Sequence, residues 1–405
     1  MSDSPAALRL PLRQVLLCGG LIVTLSMGIR HGFGLWLGPM TMAHGWTRED
    51  FALALAVQNL AWGLAGPIVG YWADVYGARR VLIVGALCYA VGLVGMALAT
   101  TPMGFLLGAG LIVGVAQAGT TYSVVYGVIG RQVPAEQRSW AMGMAAAAGS
   151  FGQFFMVPVE NALIVNLGWQ QALLVLSGAA LLIVPLAFGL REPRQPQGTV
   201  QPPPHLGQTL RAALAVPSFR WLTLGYFVCG FQVVFIAVHM PAYLKDKGLP
   251  PTVAATSLAL IGLLNVFGTY LAGTLGQRLP RRHILSFIYA ARSLAIVIFL
   301  AVPLSATSVY VFSAVIGFLW LSTVPPTNAI VAHIFGVRTM STLGGVVFLG
   351  HQVGSFMGVW LGGVLYDATG SYTVVWWLAV ALGVMAALVN QPVREEPLHR
   401  EAVAA

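Results

Sequence analysis

Twelve long apolar segments constrain this 405-residue chain more than any other feature. Hydrophobic residues make up 58% of the chain and charged residues 8%, against roughly 25% charged residues in a typical soluble domain. A helix needs ~20 apolar residues to cross the ~30 Å hydrocarbon core, and it satisfies its own backbone amides there. The segments are continuous and lack the alternation of ~10-residue membrane strands. We therefore predict an all-helical integral membrane protein. The predicted spans are 14–38, 51–72, 81–100, 103–129, 139–164, 170–190, 220–243, 252–275, 283–303, 306–333, 340–365 and 372–391.

The net charge of +9 reflects orientation in the membrane. With twelve spans both termini lie on one side, and sixteen of the 21 Lys and Arg residues fall on that side. Because basic residues accumulate in cytoplasmic loops, we predict a multi-pass protein of the cell (inner) membrane with both termini cytoplasmic. The three cysteines lie inside predicted spans without metal-binding spacing, and we expect neither a metal nor a cofactor.

One hydrophilic segment divides the chain. Residues 191–217 begin with REPRQPQGTVQPPPH, which is rich in proline, glutamine and arginine. Such a composition favours an extended, solvated linker. This cytoplasmic linker would separate an N-terminal half of six spans at 1–190 from a C-terminal half of six spans at 218–392. Residues 393–405 would form a cytoplasmic tail.

The two halves also resemble each other at a nearly constant offset. The sequence GYWADVYGARR at 70–80 corresponds to GTLGQRLPRR at 273–282, 203 residues later. Arg138 at the start of span 5 corresponds to Arg338 at the start of span 11, 200 residues later. Two six-helix repeats joined by a linker form a transporter architecture whose substrate site lies near the membrane midplane, between the repeats.

The segment at 70–80 resembles the loop signature of the major facilitator superfamily, Gly-x-x-x-Asp-x-x-Gly-x-Arg-Arg, at its expected place between spans 2 and 3. The resemblance implies a twelve-helix fold in which spans 1, 4, 7 and 10 line a central cavity. It also implies that Asp74, Arg79 and Arg80 latch neighbouring helices in one gating state. We assign Arg138 to the same gate.

The sequence RSWAMGMAAAAGSFG at 138–152 resembles the corresponding stretch of monocarboxylate porters and oxalate–formate-type exchangers. This resemblance implies transport of a small organic anion. Many animal monocarboxylate porters carry an acidic residue next to glycine in span 1, where this chain has GIRHG at 28–32. In the second copy of the loop signature Gln277 replaces the acidic residue, so we do not expect a symmetric latch.

A few ionisable side chains lie inside the spans, where they are costly and usually face a cavity or a partner. Arg30, beside His31 in span 1, suits a carboxylate through a bidentate pair, unless it snorkels to the interface. His351 is followed by Gln352 in span 11, and histidine is the residue type that most readily exchanges a proton at physiological pH. It is therefore a candidate for anion binding or proton coupling, or a hydrogen-bonding partner of a neighbouring helix. Glu160 in span 5 is either a second proton site or an interfacial residue.

Polar side chains in other spans are candidates for lining the cavity, with interhelical hydrogen bonding worth ~0.6–2 kcal/mol each as the alternative. The predicted substrate contacts among them are Gln117, Thr121 and Tyr122 in span 4, Gln232 in span 7, Asn265 in span 8 and Asn328 in span 10. Arg292 in span 9 has three open interpretations: a structural partner, a cluster of helix-end carbonyls, or substrate.

The leading prediction is a monomeric secondary transporter of a small, monocarboxylate-like organic anion, working by proton symport or anion exchange. Two buried cationic candidates and few buried carboxylates favour a negative substrate. The alternatives are a proton-coupled exporter of drugs or other amphipathic compounds, and uptake of a larger aromatic acid or metal chelate. We find no catalytic constellation, nucleotide loop or nucleic-acid signature, so we expect neither an enzyme nor a nucleic-acid partner, and transport would run on gradients.

Overall fold

A computed structural model describes residues 10–46, 48–192 and 205–398. In these ranges twelve helical spans are long and apolar enough to cross a membrane, which confirms the predicted fold. Each coincides with a predicted segment, and the largest difference is the first span, which continues to His44. The spans, numbered 1 to 12 below, are Leu12–His44, Leu53–Tyr76, Ala78–Leu98, Pro102–Gln132, Ala135–Leu167, Trp169–Gly189, Pro217–Asp246, Thr252–Leu275, Arg281–Ala301, Ala306–Phe335, Met340–Tyr366 and Thr373–Asn390.

Seven spans are formed by single α-helices, some of which extend beyond the apolar part. These helices are Arg48–Tyr76, Ala78–Leu98, Pro217–Asp246, Pro251–Leu275, Arg281–Ala301, Met340–Thr369 and Thr373–Asn390. The other five are built from shorter pieces. Span 1 joins Leu12–His31 and Leu37–His44 through a 3₁₀ segment at Gly32–Trp36. Span 5 begins with a 3₁₀ turn before Arg138–Leu167, and span 6 consists of Trp169–Leu181 and Ile183–Gly189.

Spans 4 and 10 are interrupted at equivalent positions of the two repeats. Span 4 consists of Pro102–Phe105, a π-helical segment at Leu106–Ile112, Val113–Thr120 and Tyr122–Gln132, with Thr121 in an extended conformation. Span 10 consists of Ala306–Leu319 and Val324–Phe335. Pro325 and Pro326 follow that break and lack backbone donors. Broken helices at membrane depth expose backbone groups that other side chains must satisfy.

The internal packing of the two halves repeats as the sequence repeats. In the N-terminal half the hydroxyl oxygens of Ser26 and Thr120 lie 2.8 Å apart, joining spans 1 and 4. In the C-terminal half the Cys229 sulfur and the Thr323 hydroxyl oxygen lie 3.2 Å apart, joining spans 7 and 10. Each residue of the second pair follows its counterpart by 203 positions. The fold is therefore two six-helix repeats that share the same internal helix packing, which we call the frame.

Part of the predicted linker is helical rather than extended. Residues 193–204 lie outside the described residues, but Leu206–Ala215 forms an α-helix. Thr209 and Ala213, one turn apart, are buried, since this stretch has a helical period that the proline-rich stretch lacks. Of the predicted tail, 393–398 is described, and its Leu398 amide donates to the Ile334 carbonyl at 3.0 Å.

The two halves meet closely at the end of the bundle where span 1 begins and span 12 ends. We call this the basic end, because most of the arginines lie there. A Cβ atom on Gly70 would lie 2.2 Å from the Ser341 carbonyl oxygen, and one on Gly273 would lie 2.7 Å from the Ser139 carbonyl oxygen. Only glycine allows these approaches of span 2 to span 11 and of span 8 to span 5. The basic end is closed.

Candidate substrate site and gate

Arg30 lies in the last turn of the first helix of span 1, facing span 2. Its Nε donates to Gln58 Oε1 at 3.0 Å and its Nη2 to Asn59 Oδ1 at 2.5 Å. The guanidinium carbon lies 4.9 Å from the centroid of the Trp62 ring, within cation–π range. The side chain remains partly exposed. Span 2 therefore holds the guanidinium in one orientation.

The two amides that hold Arg30 are themselves fixed. Gln58 Nε2 donates to the Ala109 carbonyl at 2.7 Å, within the π-helical segment of span 4, and Asn59 Nδ2 donates to the Leu55 carbonyl at 3.0 Å. Since their donor ends are occupied, their oxygens point to the arginine. These partners are neutral, and the ion pairs found within the described ranges involve other arginines, at the basic end. Among the described residues, Arg30 is thus a cation without a carboxylate partner.

A chain of polar contacts runs from Arg30 into the other half. Gln352 Nε2 donates to the Asn59 carbonyl at 3.0 Å and lies 3.3 Å from Asn59 Oδ1. The Gln352 oxygen lies 3.2 Å from His351 Nδ1. The buried His351 Nε2 has no hydrogen-bond partner among the described residues, and the ring lies 5.0 Å from that of Tyr226. The structure therefore brings Arg30, His351 and Gln352 together near the midpoints of spans 1 and 11, against the first third of span 2.

His31 lies beside Arg30 but on another face of span 1. Gly28 and Gly32 pack on span 5, whereas Ser26 bonds to span 4. His31 lies on the remaining face, between those for spans 5 and 2, and it is exposed. Because span 2 packs on span 11 and span 5 packs on span 8 of the other half, the face between them is directed toward the other half.

Glu160 lies further along span 5 and is completely buried. Neither carboxylate oxygen has a hydrogen-bond partner among the described residues. The carboxyl group lies against Gly32, so a Cβ there would be 1.3 Å from Glu160 Oε2. The structure places this carboxyl group inside the N-terminal half rather than at its surface.

Four of the predicted cavity residues bond to backbone carbonyls within their own half. Gln117 Nε2 donates to Ser26 at 3.3 Å, Thr121 Oγ1 to Gln117 at 2.7 Å, Gln232 Nε2 to Ala379 at 2.9 Å and Asn328 Nδ2 to Val324 at 3.0 Å. All four side chains are buried. The bonds of Gln117 and Gln232 join different spans, whereas those of Thr121 and Asn328 stay within their own spans. In this conformation none of the four side chains faces open space.

Tyr122 and Asn265 behave differently from those four. The buried Tyr122 hydroxyl lies against Gly149 of span 5 and has no partner among the described residues. Asn265 Nδ2 donates to Ser150 Oγ at 2.9 Å, across the two halves, and its Oδ1 accepts from the Leu321 amide at 2.9 Å. Asn265 therefore joins span 8 to span 5 and satisfies one backbone group at the break of span 10.

Arg292 also donates hydrogen bonds to backbone carbonyls at the break of span 10. Its Nε and Nη2 donate to the Leu319 carbonyl at 3.1 and 2.6 Å, and Nη2 also donates to the Trp320 carbonyl. The residue is 2% exposed. Of the three interpretations open from the sequence, this geometry matches the cluster of helix-end carbonyls.

At the basic end Asp74 joins the two halves. Its carboxylate accepts from the Ser341 amide at 3.2 Å, the Thr342 amide at 2.8 Å and the Thr342 hydroxyl at 2.8 Å. Within its own half it pairs with Arg131 at 2.8 Å, and Arg131 also pairs with Glu192 at 2.7 Å. The carboxylate contacts the first turn of span 11, where the helix dipole favours an anion.

The arginine of this network is therefore not one of those predicted from the motif. Arg79 lies over the Phe188 ring, with its guanidinium carbon 5.4 Å from the centroid. Arg80 is exposed, and Arg138 Nε donates to the Val133 carbonyl at 3.1 Å. The sequence did carry a signal for Glu192, the second partner of Arg131. The dipeptide Arg-Glu follows the sixth span of each half, at 191–192 and 394–395, 203 residues apart.

A bundle of two six-helix repeats, with polar contacts between them at membrane depth and close packing of the halves at one end, is the architecture of secondary transporters. The sequence model of the Major Facilitator Superfamily matches residues 16–359. The chain belongs to this superfamily and is one of its transporters.

Curated relatives lie at moderate identity. The uncharacterized MFS-type transporter YcxA of Bacillus subtilis is 24% identical over 373 residues, covering 85% of this chain and 86% of the relative. Monocarboxylate transporter 13 of Rattus norvegicus is 26% identical over 325 residues, covering 80% and 74%. Monocarboxylate transporter 11 of Homo sapiens is 26% identical over 381 residues, covering 88% and 78%.

Solved structures confirm the fold at lower identity. A variant of the Escherichia coli fucose:proton symporter FucP superposes with a TM-score of 0.74 at 14% identity, covering 94% of this chain and 98% of the other. The human organic anion transporter MFSD10 gives a TM-score of 0.74 at 16% identity, covering 94% and 100%.

Proposed function

We propose that this transporter carries a small organic anion of the monocarboxylate class, with Arg30 as the group that binds the carboxylate. The observation that carries the proposal is the environment of Arg30. Its charge is held by two neutral amide oxygens and an aromatic face, and the side chain stays partly exposed. A cation at membrane depth without a carboxylate partner among the described residues favours an anionic ligand, and a guanidinium can bind it through two parallel hydrogen bonds.

Neighbouring groups suit the same ligand. His31 is exposed on the adjacent face of span 1, and Gln352 supplies an amide from the opposite half. A carboxylate at Arg30 would compete with Asn59 for the guanidinium, and Asn59 is also the acceptor of the Gln352 bonds. Anion binding therefore acts on a contact between the two halves, as alternating access requires. Relatives named as monocarboxylate transporters support this substrate class.

The orientation follows from the charge distribution. We place the protein in the cell membrane with its basic end at the cytoplasm, by the positive-inside rule. The glycine contacts and the Asp74 network close this end. The conformation then corresponds to one closed toward the cytoplasm, with the anion entering from outside.

Ligand-dependent thermal stability of the purified protein in detergent tests the proposal. A ligand that binds only the folded protein at a hundred times its Kd stabilises it by about 2.7 kcal/mol. We expect stabilisation by small carboxylates and loss of that stabilisation in Arg30→Gln. Arg278→Gln, at an exposed position of the basic end, is the matched control for loss of one positive charge. Stabilisation by carboxylates that persists in Arg30→Gln would remove Arg30 from the site, and stabilisation by organic cations alone would refute an anionic substrate.

A further inference from the structure

Glu160 is a buried carboxyl group close to Arg30, and binding of an anion at Arg30 does not explain its presence. It is fully buried, and both its oxygens lack hydrogen-bond partners among the described residues. It occupies the space that a side chain at position 32 would need. Gly32 begins the 3₁₀ segment Gly32–Trp36, where the α-helical pattern of span 1 is interrupted. Arg30 precedes this segment by two residues.

A buried carboxyl group in these surroundings is neutral. An ionised carboxylate without a partner costs several kcal/mol of desolvation energy, so the group takes up a proton instead. A protonated carboxyl group has one hydrogen to donate and two oxygens to accept with, yet no described residue bonds to either oxygen. A structural role would have provided such a bond.

The titratable groups around Glu160 come from spans 1 and 3. Arg30 points to span 2 and His31 lies on the exposed face of span 1. His44, further along span 1, stacks on Trp46. Tyr89 of span 3 lies within electrostatic reach of both Glu160 and Arg30, and its hydroxyl donates to the Ser26 carbonyl at 3.0 Å. Span 6 contains no ionisable residue at 169–189. Among the described residues, Glu160 therefore has no bonded cation.

We propose that Glu160 is the proton-binding site of this transporter and that it makes anion transport a proton symport. In the conformation described here the carboxyl group holds its proton against Gly32. When span 1 moves away from span 5 at the 3₁₀ segment, water reaches the group and its O–H proton passes to that water, leaving a carboxylate. This inference rests on the anion transport proposed above.

The geometry couples the two ligands through span 1. Arg30 and Gly32 are held on opposite sides of one short stretch, the first by span 2 and the second against span 5. A shift of that stretch changes both environments together. One monovalent anion and one proton also carry no net charge, so the loaded transporter crosses between its two states without moving charge through the low-dielectric interior.

The decisive experiment compares exchange with accumulation in proteoliposomes. Glu160→Gln keeps the shape of the protonated side chain but cannot release a proton. We expect this variant to exchange labelled lactate, used as the probe carboxylate, for internal unlabelled lactate at a rate within about twofold of the wild type. We expect it to lose the accumulation that an inward proton gradient drives. Glu136→Gln, at an exposed position of the same span, is the matched control and should retain both activities.

Each outcome separates this inference from the proposed function. If the wild type neither exchanges nor accumulates any carboxylate, the function itself fails. If the wild type transports and Glu160→Gln still accumulates lactate against its gradient, Glu160 is not the proton site although the function stands. If Glu160→Gln loses exchange as well, Glu160 is needed for movement of the loaded carrier, and the proposal is refuted in this form.

Infrared spectroscopy gives a readout that does not depend on transport. The protonated carboxyl group has a carbonyl absorption distinct from that of a carboxylate. We expect the wild type at neutral pH to show a protonated-carboxyl band that is missing in Glu160→Gln and present in Glu136→Gln. Identical spectra of the wild type and Glu160→Gln would show that Glu160 is ionised in this state and would overturn the proposal.

Discussion

Replacing Asp74 by asparagine should open the basic end. The Asp74 carboxylate is 1% exposed and accepts three hydrogen bonds from Ser341 and Thr342 of the opposite half. Hydrogen bonds to a charged group are worth about 1.5–3 kcal/mol and neutral ones about 0.5–1.5 kcal/mol. The asparagine has one acceptor oxygen in place of two and no charge. We therefore expect a loss of about 2–3 kcal/mol.

This loss falls on one conformation only, because the three donors belong to span 11 and separate from Asp74 when the basic end opens. The pair between Asp74 and Arg131 lies within the N-terminal half and is kept in both conformations. A change of about 2–3 kcal/mol corresponds to a shift of roughly 30- to 140-fold in the equilibrium between the two states. Turnover should therefore change more than substrate affinity.

Distances between spin labels at the basic end test this prediction. In a background without native cysteines, labels at Glu136 and Leu279 would report the separation of the halves, since both positions are exposed. Asp74→Asn should convert a mainly short distance distribution into a mainly long one. The control is Gln277→Asn, because Gln277 is the exposed counterpart of Asp74 in the other half. An unchanged distribution in Asp74→Asn would refute the latch.

Three further substitutions address the site and its frame. Arg30→Lys should lower carboxylate affinity about tenfold, because a point charge cannot keep the paired geometry of the guanidinium, as titration calorimetry would show. Gln352→Leu should raise the ratio of open to closed populations, measured with the same labels, about fivefold, since the bonds to Asn59 contribute about 1 kcal/mol. Arg292→Lys should destabilise the protein by about 2 kcal/mol without changing anion affinity, because it loses carbonyl bonds at the break of span 10. Reduced anion affinity in Arg292→Lys would instead place it in the site.

The sequence predicted the fold well because the requirement for a membrane helix is local. Each span must supply its own apolar length, so twelve segments and their repeat could be found without tertiary information. Arg30, His351 and Gln352 could be selected for the same reason, since polar groups at membrane depth are rare.

The partners of these residues could not be predicted, because they depend on how the helices pack. The motif placed Arg79 close to Asp74 in sequence, but Gly77, with φ at 89°, turns the chain between them. Arg79 then lies over Phe188, and Arg131 of span 4 takes its expected place. The break of span 4 at Thr121 could not be predicted either, because no proline marks it. The break of span 10, in contrast, is followed by Pro325 and Pro326.

The proposed site and gate residues lie at positions where the repeat fails. The frame is shared, as the Ser26–Thr120 and Cys229–Thr323 contacts show. The residues proposed to bind the anion, to bind the proton and to form the gate are not repeated in the second half. Arg30, Asn59 and Asp74 correspond, 203 positions later, to Val233, Gly262 and Gln277. Glu160 of span 5 corresponds, at the offset of 200 that relates span 5 to span 11, to Trp360.

A physical reason explains why the frame is duplicated and the site is not. Alternating access exchanges the roles of the two ends, so each half must provide similar packing surfaces for opening and closing. A single anion, however, needs one cation. A second arginine at position 233 would add a desolvated charge without a partner, at a cost of several kcal/mol. The cation lies on span 1, and the buried carboxyl group of span 5 lies against Gly32 of the same span 1. A single movement of span 1 within one half therefore changes the environment of both groups.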